Sequence, residues 1–177
     1  MKIKKIILPL ILALVFVVSL IFDKRIVSAI QAARIPGSGI DSFFTAILFF
    51  EKDIIFYSMM IILAVVLLAC RNKKSIFPFL MGTGLALLVS FILKKTISRE
   101  RPFSGIQDSF PSGHATAAFA PLSFFSRGLK IFWLVFACLL AFTRLWFGLH
   151  YLSDLIAGAV IGYYIPILIN FLWKKRA

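Results

Sequence analysis

Six apolar segments, at roughly residues 6–22, 54–70, 75–93, 115–126, 131–147 and 155–173, constrain this chain more than any other feature. Hydrophobic residues make up 61% of its 177 positions and charged residues 15%, with a mean hydropathy of +0.99. A water-soluble domain of this length cannot hide that much apolar surface, so the bilayer is the expected solvent. A spanning helix needs about 20 apolar residues, and most of the six segments approach that length once their flanks are counted. The expected fold class is all-α: a polytopic membrane protein with six transmembrane helices and an interfacial helix between the first and second. No repeat, low-complexity tract or polar linker divides residues 1–177, which read as a single membrane-embedded domain.

Two segments depart from the simple pattern. The fourth holds only twelve apolar residues, about 18 Å of helix against a hydrocarbon core about 30 Å thick. Its polar N-terminal end is expected to sit below the membrane surface. Residues 24–50 differ again: Ile26, Ile30 and Ala33 share one helical face beside Lys24, Arg25 and Arg34, and Pro36-Gly37-Ser38-Gly39 then breaks the chain. An interfacial helix followed by a short re-entry segment, SFFTAILFF, is expected there. Cys70 and Cys138 both lie inside apolar runs and read as small core or lipid-facing residues.

Charge sets the expected orientation. With six alternating spans and a cytoplasmic N-terminus, the inside segments hold Lys2, Lys4, Lys5, Arg71, Lys73, Lys74, Arg127, Lys130, Lys174, Lys175 and Arg176, eleven basic residues and no acid. The other nine basic residues and all seven acids fall outside, so the split is +11 against 9 − 7 = +2, which recovers the formal +13. This agrees with the positive-inside rule and places both termini in the cytoplasm. The basic total thus reports topology and anionic lipid; no aromatic-interleaved basic groove suggests nucleic acid. A cleaved signal peptide over residues 1–22 is disfavoured, because the apolar run is 17 residues long and no small-x-small site ends it.

Two outer stretches then carry the chemistry: residues 94–114, KKTISRERPFSGIQDSFPSGH, and residues 143–154, TRLWFGLHYLSD. Both histidines are in them, with Lys94, Arg101, Arg144 and Asp154. Several cations converging beside apolar helix ends suit an oxyanion with many oxygens, and phosphate is the commonest such group in a membrane. Ser112 and Gly113 follow Pro111 and precede helix formers, the place of an N-cap, where free backbone amides form an anion seat. His150 and Asp154 are four apart and share a helical face, so the carboxylate can hold one ring nitrogen while the other points at phosphorus. His150 is the candidate nucleophile, Asp154 its orienting partner and His114 the general acid, with Lys94, Arg101 and Arg144 neutralising the equatorial oxygens. The outer loops offer too few ligands for a two-metal site, so neither a metal nor a cofactor is expected.

Lys94-x6-Arg101-Pro102, Pro111-Ser112-Gly113-His114 and Arg144-x5-His150-x3-Asp154 resemble, in order and spacing, the three-part signature of the type-2 phosphatidic acid phosphatase superfamily. That superfamily also contains soluble bacterial acid phosphatases and vanadium haloperoxidases. The resemblance implies that Lys94, Arg101, Ser112, Gly113 and Arg144 bind phosphate, that His150 is the nucleophile, Asp154 its partner and His114 the acid. Two departures are Thr143, where the family usually has serine, and Leu152, where relatives often show proline. The implied activity is hydrolysis of a lipid phosphate or diphosphate on the extracytoplasmic face, with undecaprenyl diphosphate ahead of phosphatidylglycerophosphate and phosphatidate. A non-catalytic lipid-phosphate binder stays open, as does the oligomeric state. Lys95 and Arg99 are expected to snorkel to headgroups. Gly158-x3-Gly162 is expected to mark a close helix contact inside the monomer, and Pro166 to kink the last helix.

Overall fold

The computed structural model describes the backbone of residues 2–50, 53–71 and 73–175, and side chains over 10–49, 56–70 and 73–175. Lys2, Lys4, Lys5, Glu51, Asp53, Arg71 and Arg176, all used in the expected charge split, have side chains outside the described residues. The fold is all-helical: α1 (Lys2–Ala33), α2 (Gly39–Phe50), α3 (Asp53–Arg71), α4 (Ile76–Ile97), α5 (Gly113–Phe119), α6 (Arg127–Trp146) and α7 (Leu152–Lys174). Short 3-10 turns lead into α4 and follow α5. Large apolar side chains face outward, among them Ile21 at 71% exposure and Phe132 at 69%, as expected where lipid is the solvent.

Among the described residues, three stretches are long and apolar enough to cross a membrane, Lys73–Ile97, Arg127–Trp146 and Leu152–Lys174; Gly39–Phe49 and Phe56–Cys70 are shorter apolar helices. Among the described residues the six expected spans are not all matched by helices of spanning length. The clearest reason lies in α5. Only seven residues long, it continues into a four-residue 3-10 turn, Ala120–Ser123, together about 18 Å. Ala115, Ala118 and Ala120 are at most 1% exposed, because α3, α4, α6 and α7 surround this element. Protein rather than lipid covers it, so it has no need to match the bilayer. Trp133 Nε1 on α6 donates to the Ala118 carbonyl at 2.8 Å, which satisfies an acceptor where the α-helical ladder gives way to the tighter turn.

A second correction concerns the N-terminal third. The first span and the expected interfacial helix are one continuous helix of 32 residues. It runs unbroken through Asp23-Lys24-Arg25 because Asp23 is not a surface charge: the residue is 2% exposed, and Ser153 and Arg99 satisfy its carboxylate. The expected break at Pro36-Gly37 is present, with Gly37 at φ +78°, where glycine alone is unstrained. Beyond it the chain docks rather than trailing along a surface. Arg34 pairs with Asp41 at 2.6 Å, Trp146 Nε1 donates to Asp41 Oδ1 at 3.1 Å, and the Arg34 guanidinium lies 4.5 Å from the Phe147 ring centroid.

Helix α7 is the spine, packed against α1, α4 and α5. Its small residues make that possible. A Cβ on Gly158 would lie 2.4 Å from the Ser112 carbonyl oxygen, and one on Gly162 2.2 Å from that of Thr116. The expected glycine contact is thus between α7 and α5 of the same chain. Pro166 lies within continuous α7 and meets α4 at Gly82, where a Cβ would be 2.7 Å from the proline Cα.

Candidate active site

The loop between α4 and α5 and the turn between α6 and α7 meet at the N-termini of α5 and α7. Ser112 caps α5, its Oγ accepting from Ala115 N at 3.4 Å, and its own amide donates to the Asp154 carbonyl at 3.0 Å. The N-cap read from the sequence is therefore present and is joined to the backbone of α7. Gly113 opens α5 against the Tyr57 hydroxyl, 2.6 Å from where a Cβ would stand. His114 is 8% exposed, its ring lying 4.6 Å from that of Phe56 and 5.3 Å from that of Tyr57. A cavity of about 230 Å3 lies beside these residues, lined by Tyr57, Leu87, Ser90, Phe91, Lys94 and Gly113. Two of the predicted phosphate-binding residues, Lys94 and Gly113, thus share one cavity lined from α3, α4 and the start of α5.

His150 is 3% exposed and its Nδ1 lies 2.8 Å from the Ser109 carbonyl oxygen. A carbonyl can only accept, so Nδ1 carries the proton and Nε2 keeps its lone pair. The expected hydrogen bond from His150 to Asp154 is replaced by a longer contact: Asp154 Oδ2 is 3.7 Å from Nδ1. Asp154, fully buried, is instead held by Arg99 Nη1 at 2.7 Å on one oxygen, and by Ser109 Oγ at 2.5 Å and Tyr151 N at 2.8 Å on the other. Burial pushes the His150 imidazole below its usual value; Asp154 pulls it back up, while Lys94 and Arg101 push it down. The net direction keeps the ring neutral near pH 7, the form that attacks.

Lys94, near the end of α4, donates to the Asp108 carbonyl at 2.5 Å. Arg101 forms a two-pronged pair with the Asp108 carboxylate, at 2.5 and 3.0 Å. Burial alone would raise the Asp108 carboxyl, but the Arg101 hydrogen bonds and the charges of Arg101 and Lys94 hold it below the usual range. Two cations from the first sequence block thereby converge on one loop residue, Lys94 on the Asp108 backbone carbonyl and Arg101 on its carboxylate. Arg144, in the last turn of α6, is 7% exposed, and its carbonyl accepts from Leu149 N at 2.9 Å. That bond fixes the turn leading to His150. Gly148 within it has φ +62°, and a Cβ there would stand 2.5 Å from the Phe103 ring, so only glycine fits.

Sequence reasoning missed three participants, Arg99, Asp23 and Ser109. Arg99, expected at the membrane surface beside Lys95, turns inward and bridges Asp154 and Asp23. Its charge outweighs desolvation because both carboxylates raise its pKa. Lys95 is exposed, its Nζ 5.8 Å from the Phe91 ring centroid. Ser109 has no place in any of the three blocks. Among the described residues no cluster of three or more His, Cys, Asp or Glu side chains is arranged to hold a metal.

The family model for the PAP2 superfamily matches residues 75–177. The chain belongs to the PAP2 superfamily. Among PAP2 relatives, undecaprenyl-diphosphatase BcrC of Bacillus subtilis (strain 168) is 29% identical over 165 residues, covering 85% of this chain and 82% of that protein. The lipid A 1-phosphatase of Rhizobium johnstonii is 32% identical over 106 residues, half of this chain and 43% of that one. Two crystal structures share the PAP2 fold: a transmembrane PAP2 type phosphatidylglycerolphosphate phosphatase from Bacillus subtilis, at a TM-score of 0.73, 22% identity and coverage of 96% and 97% of the two chains, and Aquifex aeolicus LpxE, at 0.69, 22%, 85% and 95%. These membrane-protein relatives and the apolar helices place this PAP2 protein in the membrane.

Proposed function

We propose that this protein is a lipid phosphate phosphatase that cleaves undecaprenyl diphosphate at the extracytoplasmic face through a phosphohistidine on His150. The observation that carries the reading is the Nδ1 contact to the Ser109 carbonyl at 2.8 Å, which directs the Nε2 lone pair to the reacting phosphorus. In the first step Nε2 attacks phosphorus and the bond to the leaving oxygen breaks, with His114 donating a proton to that oxygen. Water, deprotonated by His114, then attacks the phosphohistidine and releases inorganic phosphate. Asp154 offsets the positive charge on the ring from 3.7 Å. Lys94, Arg101, Arg144, the Ser112 hydroxyl and the Gly113 amide hold the phosphoryl oxygens, with Arg101 exchanging Asp108 for substrate.

No step needs a metal, and metal-independent turnover is part of the proposal. Undecaprenyl diphosphate is preferred because the BcrC relative, named as its diphosphatase, matches along 85% of this chain. The cavity beside Lys94 suits a headgroup whose tail stays in lipid. Phosphate release from undecaprenyl diphosphate, phosphatidylglycerophosphate and phosphatidate, with and without chelator, tests the reading. Chelator-insensitive release fastest on the diphosphate is expected. Absence of release from all three would leave a lipid-phosphate binder and end the phosphatase reading.

A further inference from the structure

Asp23 lies on α1, outside the 75–177 region that the family model matches, yet it is 2% exposed and bound into the site. Its Oδ1 accepts from Ser153 N at 3.0 Å, and its Oδ2 accepts from Ser153 Oγ and from Arg99 Nη2, the latter at 2.9 Å. The other guanidinium nitrogen, Nη1, reaches both Ser153 Oγ and Asp154 Oδ1 at 2.7 Å. The guanidinium also lies 4.2 Å from the Tyr151 ring centroid. Arg99 therefore spans the two buried carboxylates with its planar fork, a geometry lysine cannot copy.

The backbone of Arg99 closes a ring. Its carbonyl accepts from Ser109 N at 2.8 Å, the Ser109 carbonyl accepts from His150 Nδ1 at 2.8 Å, and Ser109 Oγ donates to Asp154 Oδ2 at 2.5 Å. One residue thus fixes the carboxylate that faces the His150 ring and, through Ser109, the carbonyl that sets its tautomer. Two carboxylates around one guanidinium also leave one net negative charge. That charge lies on the Nδ1 side of the ring, where the positive charge of a phosphohistidine is carried.

We propose that Arg99 and Asp23 are positioning residues for the phosphoryl-transfer step: Asp23 on α1 anchors Arg99, and Arg99 holds Asp154 and Ser109 in register with His150. This rests on the reading of His150 as nucleophile. Both Nη atoms of Arg99 are taken by Asp23, Ser153 and Asp154, so the pair is assigned to the chemical step and not to substrate binding.

The full chain in detergent is assayed as wild type, Arg99→Lys, Arg99→Met, Asp23→Asn and the Asp23→Asn/Arg99→Met double variant. The substrate is whichever of undecaprenyl diphosphate, phosphatidylglycerophosphate and phosphatidate the wild type hydrolyses fastest, and inorganic phosphate is the competing inhibitor. A displaced reacting group lowers kcat by about 100-fold in Arg99→Met, while KM and the phosphate inhibition constant stay within about threefold. Arg99→Lys, which restores a single ion pair, recovers about tenfold of that loss. The double variant falls no further than Arg99→Met, because the two residues act in series.

A purely structural pair would reduce the yield of folded protein and its melting temperature while leaving kcat per folded molecule unchanged, and that result overturns the proposal. A raised KM and inhibition constant at unchanged kcat also overturns it, by placing Arg99 on the substrate. Should Arg99→Met fail to fold, Arg99→Lys and Asp23→Asn decide by the same kcat criterion. A wild type that hydrolyses none of the three lipids ends the phosphatase reading and this inference together; an active wild type with undiminished variants ends the inference alone.

Discussion

Replacing Gly158 with alanine asks whether the contact between α7 and α5 sets the geometry of the site as well as the fold. The new Cβ would stand 2.4 Å from the Ser112 carbonyl oxygen and 3.0 Å from the Ala115 Cβ. Ordinary contact begins near 3.4 Å, so the N-terminus of α5 must retreat from α7 by about 1 Å, a shift that can cost about 100-fold in rate when it separates reacting groups. Ser112 and Gly113 move with it, away from Asp154, whose carbonyl holds the Ser112 amide at 3.0 Å. For stability two effects oppose each other. Alanine gains about 1 kcal/mol of helix propensity over glycine, whereas overpacking costs about 1–3 kcal/mol; the overlap is with backbone, which has no rotamer to escape into, so the loss prevails. Gly84→Ala on α4, which meets nothing within 4 Å, supplies the control, with unchanged kcat and an unchanged or raised melting temperature. Phosphate release and thermal unfolding in detergent read both quantities. Wild-type kcat and melting temperature in Gly158→Ala would refute the reasoning.

Further expectations follow from the same contacts. Because burial depresses the His150 imidazole, kcat/KM should rise with pH through a midpoint below the unperturbed value of about 6.5. The sign for stability agrees: the unfolded chain takes up this proton first, so acidification below about 6.5 destabilises the fold through His150, which a melting series against pH detects. Asp108→Asn removes the carboxylate that pairs with Arg101 at 2.5 and 3.0 Å, so inorganic phosphate should inhibit more strongly; unchanged inhibition would show that Arg101 does not exchange partners. Trp133→Phe leaves the buried Ala118 carbonyl without its donor at 2.8 Å and should lower stability by about 1–3 kcal/mol, read by chemical or thermal unfolding.

Features with a local signature were legible in the sequence. Pro36-Gly37 ends one helix before the next, Ser112 caps α5 because proline precedes it and helix formers follow, and the Gly158/Gly162 spacing marks a backbone contact. His150 and Asp154 come within 3.7 Å of each other, but His150 lies ahead of α7, whose cap is Tyr151, so the shared helical face read from their four-residue spacing is not what brings them together. What escaped depends on partners far along the chain. Asp23 looks like the polar end of a span until Ser153, 130 residues away, donates to it. Arg99 looks like a snorkelling cation until Asp23 and Asp154, 76 and 55 residues away, take its two nitrogens. Ser109 serves His150 through a backbone carbonyl, which every residue has, and no side-chain pattern can point to it. The shortness of α5 was visible, but hydropathy cannot tell a helix wrapped by protein from one wrapped by lipid.

Trapping the covalent intermediate tests the central claim most directly. Wild type and His150→Ala are mixed with undecaprenyl diphosphate radiolabelled in its terminal phosphate and quenched within the first turnover. The account predicts an acid-labile, base-stable label on the wild-type protein at His150, formed in the presence of chelator and absent from the variant, which also releases no phosphate. Turnover by His150→Ala, or label recovered on another residue, would contradict it.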